Sequence, residues 1–475
     1  MEKIREQRNT IFVCVITAFI TTFMGSALNL SIPSLEEEFR VGAQTVGWVI
    51  TIYMLTCAAL AVPFGRLSDR VERRSILRMG ILIFCISSLT AVLSKNMWML
   101  LTFRLMQGIG ASMIFSTNIA ILVGAFDEEH RGRVLGYSTC ATYAGLSAGP
   151  VLGGVLNQNL GWRSIFIATS IVSAAAFYGA FFKLPKHQKK SAKNELPSKL
   201  HWDYVGNILF VISTVLTMYG LSSLKSIGAA PFILCGGILL FIFFVRTEMK
   251  AENPVIDVNL FRKNISFTLS NLAAMVNYGS NFALSYLMSI YLQVVKGMSS
   301  QWAGMILITN TLIMTLLSPI VGRISDRLSP FKMSAAGMAL CAAAMGLLSF
   351  LSQNASLISI ILILALSGVG FSLFSTPNTN AVMSCVERKD YGVSASILST
   401  MRSIGHTAGM SVVTAVVGIY IGSGSLKGAG AEENLSYLLF YIHFIMYSWN
   451  FYGGQAKNMI LYMLTYIELN LKVRR

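Results

Sequence analysis

Gly65-Arg66-Leu67-Ser68-Asp69-Arg70 and Gly322-Arg323-Ile324-Ser325-Asp326-Arg327 differ only by a Leu/Ile exchange and stand 257 positions apart in a chain of 475 residues. Each closes an apolar stretch of about 20 residues, long enough to cross a bilayer core. A short basic turn repeated over half the chain, with repeated apolar flanks, reads as two homologous helical bundles. Duplicated bundles around one central cavity are the plan of secondary transporters.

Composition points the same way. The chain is 54% hydrophobic and 12% charged, with mean hydropathy +0.63, where a soluble domain carries about 25% charge. Fourteen apolar windows follow one another, the first over residues 11–30 and the last over 435–452. The first is too long for a signal-peptide core and lacks a small-residue cleavage site, so it is expected to remain as a span. The net charge of +16 could suggest nucleic acid until the charges are placed. With the N-terminus inside, 29 Lys/Arg fall on the cytoplasmic side and six on the outer side, while Arg104 and Arg402 lie within spans. That asymmetry orients a protein in the inner (cytoplasmic) membrane with both termini cytoplasmic. The basic excess is therefore topological, with attraction to anionic lipid as a by-product. The seven cysteines show no metal spacing.

The charge-rich connectors divide the chain. Residues 1–183 form a six-helix bundle, 184–203 a cytoplasmic linker, 204–246 a two-helix insertion and 247–264 a connector. Residues 265–455 form a second six-helix bundle, and 456–475 an atypical polar and weakly apolar tail. The expected fold is an all-α integral membrane protein of about fourteen spans in a 6+2+6 order. The tail reads either as a frame-altered end or as an amphipathic surface helix.

In the first repeated run, Gly65 is expected to permit a tight exit from span two. Asp69 can accept hydrogen bonds from helix N-termini across the bundle interface, and Arg70, Arg73 and Arg74 can pair with carboxylates there. Gly322, Asp326 and Arg327 repeat the arrangement. Span five carries Gly136, Gly145, Gly149-Pro150 and Gly153-Gly154, small residues that let helices approach closely around a proline bend. Span four places Arg104 and Gln107 inside an apolar run, where an arginine must face protein or water. Arg402 and His406 stand one turn apart in span thirteen, and a histidine can exchange a proton near neutral pH. Asp203 opens span seven, where capping is the preferred reading; with Arg104, Gln107, Arg402 and His406 it makes up the set of coupling candidates.

These residues carry a family resemblance. The Gly65 to Arg74 stretch is similar to the signature between spans two and three of the major facilitator superfamily, with Glu72 where a glycine is usual. The span-five glycines match its antiporter signature, and Leu100, Arg104, Gln107-Gly108 and Gly110-Ala111 resemble its span-four motif. Trp202-Asp203-Tyr204-Val205-Gly206, Asn253-Pro254 and Asp257 through Phe261 resemble the fourteen-span drug:proton antiporter branch. The resemblance covers nearly the whole chain to about residue 425. It implies the major facilitator fold, Asp69 as an inter-bundle latch, Arg104 in proton coupling, and export of amphipathic drugs or toxic compounds in exchange for protons. The cavity is then expected between spans 1, 2, 4, 5 and 9, 10, 12, 13, with Asn29, Asn118, Tyr143, Tyr278 and Asn281 as lining candidates. Met24 stands where many cation exporters of that branch carry an acid.

The expected partners are small amphipathic substrates, protons and the bilayer; no cofactor, metal or nucleic acid is implied, and a monomer is expected to suffice. No ATP-binding or hydrolase motif is present. The alternatives are a lipid or metabolite exporter on the same fold, or a transport-inactive sensor.

Overall fold

The computed structural model describes residues 2–41, 43–182, 184, 203–223, 228–251, 254–349, 351 and 355–421. Among them there is no strand. The first half comprises α1 (Glu2–Ser26), the short α2 (Ile32–Phe39), α3 (Ala43–Arg70), α4 (Arg73–Ala91), α5 (Met97–Ala125), α6 (Arg131–Leu160) and α7 (Arg163–Phe182). A hairpin of α8 (Tyr204–Ser223) and α9 (Ala230–Glu248) follows, then the one-turn α10 (Val258–Lys263). The second half comprises α11 (Ile265–Ile290), α12 (Ser300–Ser325), α13 (Pro330–Ser349), α14 (Leu357–Ser384) and α15 (Tyr391–Ile421).

Among the described residues, ten helices are long and apolar enough to cross a membrane: α1, α3, α4, α5, α7, α8, α9, α12, α13 and α14. The helices α6, α11 and α15 are 30, 26 and 31 residues long. They are rich in Gly, Ser, Thr and Asn, the composition of helices that face other helices rather than lipid. The expected fourteenth span, the tail and nearly all of the 184–203 linker lie outside the described residues.

Packing repeats between the halves. The first half pairs α4 with α5, α3 with α5 and α1 with α6; the second pairs α13 with α14, α12 with α14 and α11 with α15. The halves meet through α6 on α12 and α3 on α15, the same interface taken twice. Single atoms obey the repeat. A Cβ on Gly110 would lie 2.7 Å from the Gly80 carbonyl oxygen, and one on Gly370 would lie 3.0 Å from that of Gly337. Asn118 on α5 donates to the Cys14 carbonyl of α1 at 2.9 Å, and Asn378 on α14 donates to the Ser270 carbonyl of α11 at 3.1 Å. The hairpin breaks the symmetry. Helix α8 packs on α3 and α15, with Trp48 and Tyr219 rings 5.5 Å apart and Ser411 Oγ donating to the Leu221 carbonyl at 2.7 Å.

One expectation needs correction. The repeated runs are not loops, because α3 stays helical to Arg70 and α12 to Ser325. Gly65 is thus no exit turn. Its missing Cβ is what lets α3 touch α15, since a side chain there would strike Ser396 and sit 2.7 Å from the Gly392 carbonyl oxygen. Gly322 serves α12 in the same way against α6, where an added Cβ would meet the Gly132 carbonyl oxygen and lie 2.9 Å from Gly136 Cα.

Candidate functional site

The site has three layers, beginning where the repeated runs lie. Asp69 Oδ1 and Oδ2 accept from the backbone N–H groups of Gly392 and Val393, both at 2.7 Å. Asp326 Oδ1 and Oδ2 accept from Gly132 N at 2.5 Å and Arg133 N at 2.9 Å. Each carboxylate sits in the first turn of a helix of the opposite half, where unpaired N–H groups and the helix dipole favour an anion. Burial pushes the Asp326 carboxyl above the usual range, while the two N–H groups pull it back down. The arginines add a second set of ties. Arg73 Nη2 reaches Asp69 at 2.7 Å and the Arg388 carbonyl at 2.5 Å. Arg131 Nη2 donates to the Tyr391 hydroxyl at 2.9 Å, across the same seam. Arg66 pairs with Asp390 at 3.7 Å. Among the described residues no ion pair is formed by Arg74 or Arg327, and Arg70 lies within electrostatic reach of Asp203.

The middle layer joins the halves through aromatic hydroxyls. Tyr143 of α6 donates to Ser375 Oγ of α14 at 2.9 Å and lies 3.2 Å from the Tyr278 hydroxyl of α11, which is 2.7 Å from the same Ser375 oxygen. Phe371 stands edge-on to both rings. The Arg402 guanidinium lies over the Tyr278 ring, 4.8 Å from its centroid, and its Nη2 donates to Thr379 Oγ1 at 2.6 Å. His406, one turn further, stands edge-on to Tyr278 and Phe282. Asn281 accepts from Asn310 at 3.1 Å.

The third layer is the packing of α6 and the environment of Arg104. Gly136 faces α12, where a Cβ would lie 2.6 Å from the Ser318 carbonyl oxygen. Gly145, Gly149 and Gly153 face α1, where side chains would run into Thr22, Ser26 and Ala27. Pro150 lies within the unbroken helix, and Gly154 is half-buried beside it. Arg104 is fully buried. Its Nε donates to the Val49 carbonyl at 2.7 Å, its Nη1 to Gln107 Oε1 at 2.6 Å, and its charge rests 4.3 Å from the Tyr53 ring centroid. Gln107 passes the chain on to Ser88 Oγ at 2.7 Å.

Tyr143 and Tyr278 therefore come together, and Arg402 and His406 join them. Asn118 is held in the α1–α5 contact by Cys14 and Thr17, and the side chain of Asn29 lies outside the described residues. Asp203 caps α8 through a 2.7 Å bond from Gly206 N. Several residues of the site were not singled out from sequence. Ser375, Thr379, Phe282 and Phe371 carry no motif. Gly392 did have a signal, since it stands 260 residues after Gly132, behind an acidic turn in both places. Glu248 is a further surprise. Assigned to a connector by its charge, it ends α9, is 3% exposed and accepts from Ile256 N at 2.9 Å. Among the described residues no group of His, Cys, Asp and Glu could hold a metal ion.

Two halves that share one contact pattern and clasp each other through equivalent aspartates match a known family model, which spans residues 14–410. The chain belongs to the major facilitator superfamily. Within it, the chain is 29% identical over 403 residues to the riboflavin transporter RibZ of Clostridioides difficile, covering 84% of this chain and 85% of that one. It is 26% identical to the multidrug resistance protein Stp of Mycobacterium tuberculosis, over 88% of this chain and 77% of the other. It is 25% identical to the methylenomycin A resistance protein of Bacillus subtilis, over 91% and 94%. The human organic anion transporter MFSD10 superposes with a TM-score of 0.67 at 16% identity, covering 93% of this chain and 99% of that one, which speaks to fold alone. The protein is thus a multi-pass membrane transporter of this superfamily, not an enzyme.

Proposed function

We propose that this chain is a secondary exporter of the fourteen-span branch that moves small amphipathic compounds out of the cell against proton entry, as a monomer in the cytoplasmic membrane with both termini inside. The observation that carries the reading is the pair of equivalent bridges from Asp69 to Gly392 and Val393 and from Asp326 to Gly132 and Arg133. Such bridges can form and break together, giving a rocking carrier a closed state at one end. The basic-residue asymmetry supports that end facing the cytoplasm, and on this reading the closed end is the inner one. The α8–α9 hairpin supports the fourteen-span branch, and relatives named for drug resistance support efflux. Arg104, buried with no acidic partner among the described residues, supports a coupling role, because a lone buried charge shifts the protonation of whatever approaches it.

The test is solute movement in liposomes containing the purified chain under an imposed pH gradient. Efflux should follow the gradient and stop with a protonophore. A parent protein that ignores the gradient removes proton exchange from the reading. The relative named as a riboflavin transporter favours a second reading, movement of a metabolite by the same machinery, and a competition panel of vitamins and drugs separates the two.

A further inference from the structure

The duplicated scaffold gives a way to separate framework from function. Residues that hold the fold recur in both halves, as Asn118 and Asn378 do. Arg402 and His406 do not: the positions 260 residues earlier are Thr142 and Leu146. Both side chains have buried polar atoms without a partner among the described residues, Nε of Arg402 and Nδ1 of His406. Among the described residues no carboxylate lies within ion-pair distance of Arg402, whose fixed contacts are Thr379 and the Tyr278 ring. A guanidinium keeps its charge at any pH a cell reaches, and an unmatched buried donor destabilises the protein that carries it. The unmatched atoms lie one turn apart along one helix face, bounded by Tyr278 and by Phe282, which is 40% exposed. A fixed positive charge lying over the face of one ring, with hydrogen-bonding atoms left over beside a second, half-open ring, is a complement for a flat ring bearing acceptors.

We propose that Arg402 and His406 form the recognition edge of the solute site, and that this site takes planar aromatic compounds carrying an anionic or carbonyl acceptor group rather than cationic amphiphiles. The proposal rests on the exporter reading for access to the site, but binding itself does not require transport. The Tyr278 ring that forms one wall is tied by its hydroxyl to Ser375 and Tyr143, the latter in the opposite half. A solute held beside Arg402 and His406 would therefore border the junction that rocking must break.

The full chain in lipid nanodiscs would be titrated with two xanthene dyes of one ring system and opposite charge, fluorescein and rhodamine 6G, followed by fluorescence anisotropy at mildly alkaline pH. Fluorescein should bind at least about tenfold more tightly, the scale of one hydrogen bond to a charged group. Arg402→Gln should erase the preference, and Arg402→Lys should restore part of it, keeping the charge without the planar fork. If Arg402→Gln does not fold, the dye comparison in the parent and the lysine variant still decides. Rhodamine binding as tightly as fluorescein in the parent, or an unchanged preference in the variants, overturns the proposal. Gradient-driven rhodamine efflux independent of Arg402 would overturn it while sparing the exchange reading. Arg402-dependent fluorescein binding without any gradient-driven transport would do the reverse.

Discussion

Asp69 and Asp326 are the same residue of a duplicated unit, and each binds the first backbone N–H groups of a helix in the other half. The bridges are crossed, so the backbone partners of each aspartate come from the other half. Local folding of one half can pair Asp69 with Arg73, but it leaves the opposing helix starts without their carboxylates until the halves meet.

Replacing Asp69 by Asn leaves one acceptor oxygen for two donors. The expected loss is about 1.5–3 kcal/mol from the closed state, read as raised labelling of inner-face cysteines and slowed transport, with membrane insertion unchanged. Asp326→Asn should act in the same direction but more weakly, because Asp69 also holds Arg73. Full transport by Asp69→Asn would remove the latch from the account.

Arg104→Lys keeps the charge but cannot reproduce the fork that joins the Val49 carbonyl to Gln107. Gradient-driven efflux should be impaired, with Arg104→Ala worse than Arg104→Lys. Efflux at the parent rate in Arg104→Ala would move coupling elsewhere, and His406 would be the next group to test.

Gly149 has its back against Ser26 and Ala27 of α1. A methyl group there would run into Ser26 Oγ and press on Ala27 N at 3.1 Å, so Gly149→Ala should lower thermal stability in detergent by about 1–3 kcal/mol. Gly149→Leu should abolish transport while leaving topology intact, as judged by reporter fusions. Gly161, with open space around it, is not a size control because its φ is +76°; Gly304, helical and uncrowded, is the suitable one.

At the opposite end, Glu38 accepts from Trp162 Nε1 at 2.7 Å and Arg163 Nη1 at 2.9 Å. The Arg163 hydrogen bond holds its carboxyl below the ordinary glutamate value of 4.5. A lowered acid contributes stability above that value and loses it as pH falls through the lowered pKa. Glu38→Gln should therefore be less stable than the parent near neutrality, and the gap should close only below pH 4.5. Both side chains are more than a third exposed, so the gap is expected to be small. A stability difference that is unchanged at acid pH would assign the effect to packing.

The duplication and the helical class were legible because apolar length and repeated residues are properties of the chain itself. The run at Gly65 was legible as a repeat but misread as a turn, since glycine serves both turns and helix contacts and only the position of α15 decides between them. Crossed pairing was hidden for the same reason. Gly132 and Gly392 are equally good partners for Asp69 in sequence, and the choice is made by which helix the fold sets beside α3. Ser375 could not be found at all, being one serine among many until Tyr143 and Tyr278 converge on it. Glu248 was assigned by charge to a connector, yet it closes α9 and is buried, with the Ile256 N–H as a partner for its carboxylate.

The hairpin gives a molecule built from two equal halves two unequal seams. Helix α8 braces α3 against α15 along one seam, whereas the equivalent α6–α12 seam carries no such helix among the main contacts of the described residues. Rocking has to carry the hairpin along on one flank, and among the described residues no equivalent hairpin loads the other. The two seams of the duplicated fold, equal by descent, therefore carry unequal loads when the halves move past each other.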